Sequence, residues 1–289
     1  MNNSSGVVRW LLKKSSRGAL AYGSNVIRPA MRLAVGDRRV QVRALTYHRF
    51  GDAKRDPFCV APAEFERQMQ TVARAGLAIS LSQLEGFVSG TAQPLPDDAV
   101  LITIDDGFDS LRSVALPILE RYAIPAVAFV SPGKIADRGG YRGAPEDYLT
   151  WKQLSFLANR GVSIQSHAWS HRSLPNLSGE EALEELICSK EVLSRRLGNV
   201  SALAYPFGTR ADFDECAASL AAQAGYRTAF TSQHGPIRVG DDQLKLTRTK
   251  VEGGETTATF ASLIHGGLDA WRWVDRGLWW LQASGRRYA

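Results

Sequence analysis

Cysteine is scarce in this chain, with only Cys59, Cys188 and Cys216 among 289 residues and no C-x-x-C pair. Neither a disulfide framework nor a cysteine zinc site is indicated by that count and spacing, and a reducing environment is expected. Long apolar runs are missing too. No stretch reaches the ~18 residues that a membrane span requires. The short cluster Val7, Val8, Trp10, Leu11 and Leu12 is interrupted by Arg9 and followed by Lys13 and Lys14, which places the charges on the wrong side for a secretory leader. A cytoplasmic protein is expected, with attachment to the inner face of a membrane as the alternative. Acidic residues are lacking in one region only. Residues 1–43 hold nine Lys and Arg against Asp37 alone, so this segment carries more than the whole net charge of +6 and the remainder is slightly acidic. A basic body that grips nucleic acid is therefore not expected.

What remains is ordinary globular material, 44% hydrophobic and 22% charged, at a length that one α/β barrel can use. Candidate strands at Val42–His48, Leu77–Leu81, Val100–Asp106, Ala126–Ser131, Gly161–His167, Ala202–Phe207, Arg227–Ser232 and Leu244–Val251 are rich in β-branched and aromatic residues. Helical patterns fall between many of them. Pro62–Ala75 places Phe65, Met69 and Val72 on one face and stops at Gly76, and Ala211–Ala224 stops at Gly225. Ser178–Leu197 opens with a capping box, Ser178 to Glu181, and Thr150 with Gln153 makes a similar start for the segment through Asn159. Repeated βα alternation predicts an α/β fold, a distorted (β/α) barrel of about seven strands. The expected organisation is a basic extension at 1–40, a barrel at 41–252 and a Trp-rich helical segment at 253–289. In that last segment Phe260, Ile264, Leu268, Trp271, Val274 and Leu278 mark one helical face. Packing on the barrel is one reading of this face. Contact with a membrane surface is the other, given Trp273, Trp279 and Trp280 beside Arg272, Arg276, Arg286 and Arg287.

The chemistry is concentrated at strand ends. The strand before Asp105 runs into two adjacent carboxylates and Gly107, and a buried strand gains nothing from paired like charges. A second strand delivers His167, with His171 four residues later, two of only five histidines. Two imidazoles and one carboxylate make a three-ligand site with open positions, the pattern of a catalytic metal. One aspartate would ligate and the other would stand beside the bound water as a base. The third element, Tyr205-Pro206-Phe207-Gly208, is a strand end and turn whose backbone N–H could face a developing oxyanion.

These three segments together resemble the polysaccharide deacetylases, carbohydrate esterase family 4. The family's T-F-D-D-G motif is similar to Thr103-Ile104-Asp105-Asp106-Gly107, its H-[ST]-x-x-H to His167-Ala168-Trp169-Ser170-His171, and its R-x-P-[YF] to Ala204-Tyr205-Pro206-Phe207. The resemblance implies a (β/α) barrel, Asp105 as catalytic base, and Asp106, His167 and His171 as ligands of Zn²⁺, with Co²⁺ or Ni²⁺ as alternatives. It also implies the Phe207 N–H as oxyanion donor. Tyr205 and Trp169 join Phe207 as expected substrate contacts, Trp169 by stacking on a sugar ring or else by packing in its turn. Ala168 replaces the usual hydroxyl. Ala204 replaces the usual Arg, so Arg210, Arg248 or Lys250 is expected to orient Asp105. The strand ending in Tyr47-His48 resembles the opening of the circularly permuted poly-N-acetylglucosamine deacetylase branch, which makes His48, as an imidazolium, the expected general acid over His265. His234, beside Gly235-Pro236, is expected only to serve its loop. The expected reaction is metal-assisted N-deacetylation of an amino sugar in a polysaccharide or lipid-linked glycan. Ester deacetylation at the same centre, and a non-catalytic glycan-binding or membrane scaffold, are the competing readings.

Overall fold

The computed structural model describes residues 15–23, 40–52, 56–91, 93–135 and 147–277. Seven parallel strands form one curved sheet, and two short strands pair separately. In chain order the strands are β1 (Val42–Tyr47), β2 (Arg49–Phe50), β3 (Cys59–Val60), β4 (Ala99–Ile104), β5 (Ala126–Val130), β6 (Ser163–Ser166), β7 (Ala202–Ala204), β8 (Thr228–Phe230) and β9 (Arg248–Lys250). The main sheet runs β8-β7-β6-β5-β4-β1-β9, and among the described residues a single bridge, from Phe230 of β8 to Leu246 just before β9, joins its two edges. The result is a barrel nearly closed, with a seam between β8 and β9.

Alternation along the strands explains its two faces. Val42 and Ala44 of β1, Ala99 and Leu101 of β4, Val127 and Phe129 of β5, and Ala202 and Ala204 of β7 gather with Phe230 and Leu246 in one apolar cluster. Their neighbours one residue along, including Leu45, Val100, Ile102, Ala128 and Leu203, join a second cluster with helix residues such as Phe65, Leu154 and Leu186. The first set lines the interior, and its four alanines suit a narrow lumen. The second set carries the helices, α2 (Pro62–Arg74), α4 (Leu116–Arg121), α5 (Trp151–Asn159), α6 (Gly179–Leu197) and α7 (Glu215–Gln223). Ser178 and Thr150 make the predicted capping boxes. A π-turn at Leu111–Ala115 leads into α4, where Pro117 has no N–H to give to Ser113.

Three differences from the sequence reading have physical causes. Leu77–Leu81 is not a strand of the sheet. It makes one bridge, Ala78 to Val100, and then Ser80 caps α3 (Leu81–Val88) with its own capping box. Glu85 of α3 accepts from Ser201 and Thr228, at the starts of β7 and β8, so this helix stoppers the N-terminal end of the barrel. The C-terminal face is broken rather than continuous, into α8 (Thr257–Ile264), a short turn and α9 (Arg272–Gly277). Phe260, Ile264 and Leu268 are buried in the core, which supports packing, while Trp273 is 60% exposed between Arg272 and Arg276. Leu278, Trp279, Trp280, Arg286 and Arg287 lie outside the described residues, as do Val7 to Lys14. Finally, the expected boundary at 40 does not separate residues 15–23 from the body. They form a helix, α1, whose Arg17 is buried against Glu255 and Glu252 and whose Ala21 sits in the core and accepts from Ser262. No helix of the described residues is long and apolar enough to cross a membrane.

Candidate active site

The inward phase of the strands determines which polar side chains meet at the barrel's C-terminal end. Continuing the interior positions of β4 by two gives Thr103 and then Asp105, those of β6 give Gln165 and His167, and those of β1 give Thr46 and His48. Arg248 follows Leu246 in the same phase on the last strand. Active sites of such barrels form at this end because strand ends converge there and the following loops are free to vary.

Asp106, His167 and His171 each offer a ligand atom, and these atoms lie within 4.8 Å of one another. His167 Nε2 is 3.6 Å and His171 Nε2 is 3.2 Å from Asp106 Oδ1, which is buried without a hydrogen-bond partner. A buried carboxylate oxygen left without a donor is costly unless a cation takes its place. The donor set therefore fits a divalent metal. The second nitrogen of His167 strengthens the case. Its Nδ1 lies 2.7 Å from the Ala204 carbonyl, which can only accept, so the proton resides there and Nε2 keeps its lone pair for an ion. Burial and the neighbouring His171 push the His167 imidazole down to about 3. Burial works against ionising Asp106, but His171, His48 and His167 outweigh it and hold the carboxyl well below its usual range.

The backbone is bent to bring these groups together. Asp106, Ala168, His171 and Phe207 are non-glycine residues with φ of 74°, 58°, 63° and 61°. Left-handed backbone costs a residue with a Cβ on the order of 1–3 kcal/mol, and its clustering at one place marks a site where geometry outweighs stability. Gly107 extends the turn at φ 80°, and a Cβ there would press on Val130 at 3.1 Å.

Asp105 lies beside the ligand group and is not part of it. Arg248 grips it from the last strand, Nη1 to Oδ1 at 2.7 Å and Nη2 to Oδ2 at 2.8 Å, with both side chains buried. Of the three candidates for that task, Arg248 is the one that reaches it. Lys250 instead sits over the Phe58 ring at 3.3 Å, and Arg210 lines a separate cavity.

His48 stands edge to face with Phe58 at 4.9 Å, and its Nδ1 is buried without a partner. Burial pushes this imidazole down to about 4, against the pull of Asp106 and Asp105. The charged form expected of it is thus the minor form in the resting site at neutral pH. His265 is excluded from the site by position. It caps α8, half exposed, 3.0 Å from Asp98, which precedes β4 at the opposite end of the barrel and also pairs with Arg43. His234 does more than serve a loop: it is buried, with both its backbone N–H and its Nδ1 on Asp275 Oδ2 at 2.8 and 2.9 Å.

The turn after β7 places Phe207 against His171, ring centroids 4.7 Å apart. Among the described residues its N–H meets no acceptor, while its carbonyl accepts from Ser232. Tyr205 corrects an expectation. It faces outward into the core, fully buried, stacked on Phe213, with its hydroxyl donating to the Leu244 carbonyl, so it offers nothing to a substrate. Trp169 is half-buried, and its carbonyl accepts from Gly133 N–H at 2.8 Å, so it packs while keeping an open edge. Two neighbours escaped the sequence reading. Phe58, 40% exposed, flanks His48, and Lys134 approaches Asp106 with its ammonium pushed down by burial. Phe58 precedes the two-residue β3 and Lys134 lies in the turn after β5, but neither belongs to a recurring pattern, so no local signal marks them.

The family model for polysaccharide deacetylases matches residues 92–229. YxkH of Bacillus subtilis (strain 168), a protein named for the same family, is 25% identical over 230 residues, which cover 79% of this chain and 77% of that protein. The poly-β-1,6-N-acetyl-D-glucosamine N-deacetylase of Escherichia coli (strain K12) is 31% identical over 101 residues, 32% of this chain and 15% of that enzyme. Among solved structures, the Streptococcus pyogenes deacetylase PplD in complex with acetate is 25% identical, with a TM-score of 0.69 over 78% of this chain and 98% of that one. IcaB from Ammonifex degensii shares the fold at a TM-score of 0.67 and 22% identity, over 79% of this chain and 97% of that one. The family match holds Asp105, Asp106, His167, His171 and Phe207, while His48, which follows β1, and Arg248, on β9, lie outside it. Sequence match and barrel agree: residues 92–229 match the polysaccharide deacetylase family, and the fold is that of PplD.

Proposed function

We propose that this protein is a metal-dependent hydrolase that removes N-acetyl groups from amino sugars in a polysaccharide or lipid-linked glycan precursor. The observation that carries the reading is a buried carboxylate, Asp105, clasped by Arg248 beside the three donors Asp106, His167 and His171. Support also comes from PplD, solved with acetate, and from the N-deacetylase name of the E. coli relative.

Asp106, His167 and His171 would hold the ion, with Zn²⁺ the first choice and Co²⁺ or Ni²⁺ the alternatives. A divalent ion held there supplies a water of lowered pKa and polarises the acyl oxygen. Asp105, oriented by the guanidinium, takes the proton as water attacks the acyl carbon. The Phe207 N–H donates to the oxygen that gains charge. One such donor is worth about 3 kcal/mol in the transition state. His48 delivers a proton to the departing amine. Because burial keeps it neutral at rest, it takes that proton from solvent once negative charge has developed beside it, and Asp105 returns its own proton to solvent as acetate leaves. Trp169 and Phe58 form the sides of the sugar site. Cytoplasmic action, with parts of residues 1–40 and of the C-terminal segment outside the core against a membrane, belongs to the same reading.

Acetate release tests it directly. Purified protein loaded with Zn²⁺ or Co²⁺ should release acetate from N-acetylglucosamine oligomers or lipid-linked N-acetyl sugars, and Asp105→Asn should abolish this. No release from any of these substrates would sink the assignment.

A further inference from the structure

A second cavity, of about 420 Å³, lies outside the metal centre and none of its lining residues is a proposed metal ligand or catalytic group. It occurs at the seam of the barrel, bounded by the loop after β7, the crossover from β8 to β9, and α9. Four guanidiniums line it, Arg210, Arg238, Arg272 and Arg276. Among the described residues none of the four has a carboxylate partner. Lys245 also lines it but is occupied by Glu215 and Asp242, and the backbone N–H of Arg238 already takes Asp241.

Unpartnered polar atoms point the same way. Of the buried side-chain atoms without a hydrogen bond, three belong to this lining: His234 Nε2, Gln233 Nε2 and Arg238 Nε. His234 is 7% exposed, and its Nδ1 donates to Asp275 Oδ2 at 2.9 Å. Buried donors without acceptors are costly, and a lining of four Arg and Lys245 against the two carboxylates Asp241 and Asp242 keeps an excess of positive charge. An anion with several acceptor oxygens removes both costs, and Arg forks match phosphoryl oxygens two at a time.

We propose that this cavity binds a phosphoryl group, and by its volume a diphosphate with part of what it carries. The assignment does not depend on the deacetylase reading. It does place the group close to that site, since Thr231, in the lining, accepts from the same Arg248 that clasps Asp105, and Ser232 next to it donates to Phe207.

Calorimetric titration of the full chain with inorganic pyrophosphate tests it without turnover. Binding should weaken with salt, fall by about tenfold or more in Arg272→Ala/Arg276→Ala, whose side chains are exposed and whose loss leaves the core intact, and persist in Asp106→Asn. A wild-type protein that does not bind pyrophosphate, or one whose binding is lost in Asp106→Asn and kept in the arginine variant, would overturn the proposal. Displacement by a short prenyl diphosphate would support a lipid-linked ligand and displacement by UDP-N-acetylglucosamine a soluble one. Displacement by neither would count against it.

Discussion

Arg248 and Asp105 are 143 residues apart in the chain and form a two-point ion pair with 1% and 3% of their side chains exposed. From another strand, the guanidinium takes on the orienting task that the resemblance gives to a motif arginine, where this chain has Ala204. Arg248→Lys keeps the charge but not the fork. Turnover is expected to fall by about 100-fold with metal content unchanged, measured by acetate release and metal analysis side by side. Arg248→Met leaves a buried carboxylate alone and should cost about 3–5 kcal/mol of stability in denaturant titration.

His171→Ala removes one of three ligands without touching Asp105. The variant is expected to lose bound Zn²⁺ on dialysis while remaining folded, and chelation of the wild type should lower its melting point, since an ion at a hundredfold its dissociation constant adds about 2.7 kcal/mol. Equal metal content in variant and wild type would remove His171 from the ligand set.

Acid should weaken the metal-free protein in a defined window. His48 is held down at about 4 and His167 at about 3, both below the ordinary value of 6.5. Below that value the unfolded chain binds these protons and the native protein does not, so stability is full above about pH 6.5 and is lost as pH falls toward 4. The loss is on the order of a few kcal/mol across that window. Thermal melts of chelated protein between these pH values should show the decline, and His48→Gln should flatten it.

Tyr205→Phe separates packing from binding. The hydroxyl serves the Leu244 carbonyl. Its loss should cost about 1 kcal/mol of stability and leave kcat/KM unchanged. A raised KM with unchanged stability would return Tyr205 to the substrate.

Truncation distinguishes the leader from the body. Removal of residues 1–14 should preserve the melting point, whereas removal of 1–40 takes away buried Arg17 and the core residue Ala21 and should lower it by several degrees. Matching melting points for the two truncations would show that α1 contributes nothing to the fold.

Much of the barrel is legible in the chain because its strands are short, apolar and separated by capped helices. Ser178 with Glu181 and Thr150 with Gln153 mark helix starts by local chemistry alone. The ligand group is legible for a related reason: Asp106, His167 and His171 follow strands directly, so a pattern of two or four residues carries them. The role of Arg248 is not, beyond its place among three candidates, because its partner is on a distant strand and nothing in Leu246 to Lys250 refers to Asp105. The start of α3 is not legible, because the apolar run from Leu77 to Leu81 has the composition of a strand and obscures the capping box of Ser80 and Gln83. Tyr205 belongs to a recurring motif, yet alternation past Ala204 turns it away from the lumen.

The pairing of β1 with β9 also has a consequence for biogenesis. Synthesis proceeds from the amino end, so β1 and β4 can associate early while the other edge of β1 waits for a strand that leaves the ribosome some two hundred residues later. Once His171 has been made, the nascent chain contains all three proposed metal donors but not Arg248. On the proposed function, the ligand set is therefore complete in the chain before the residue that orients Asp105.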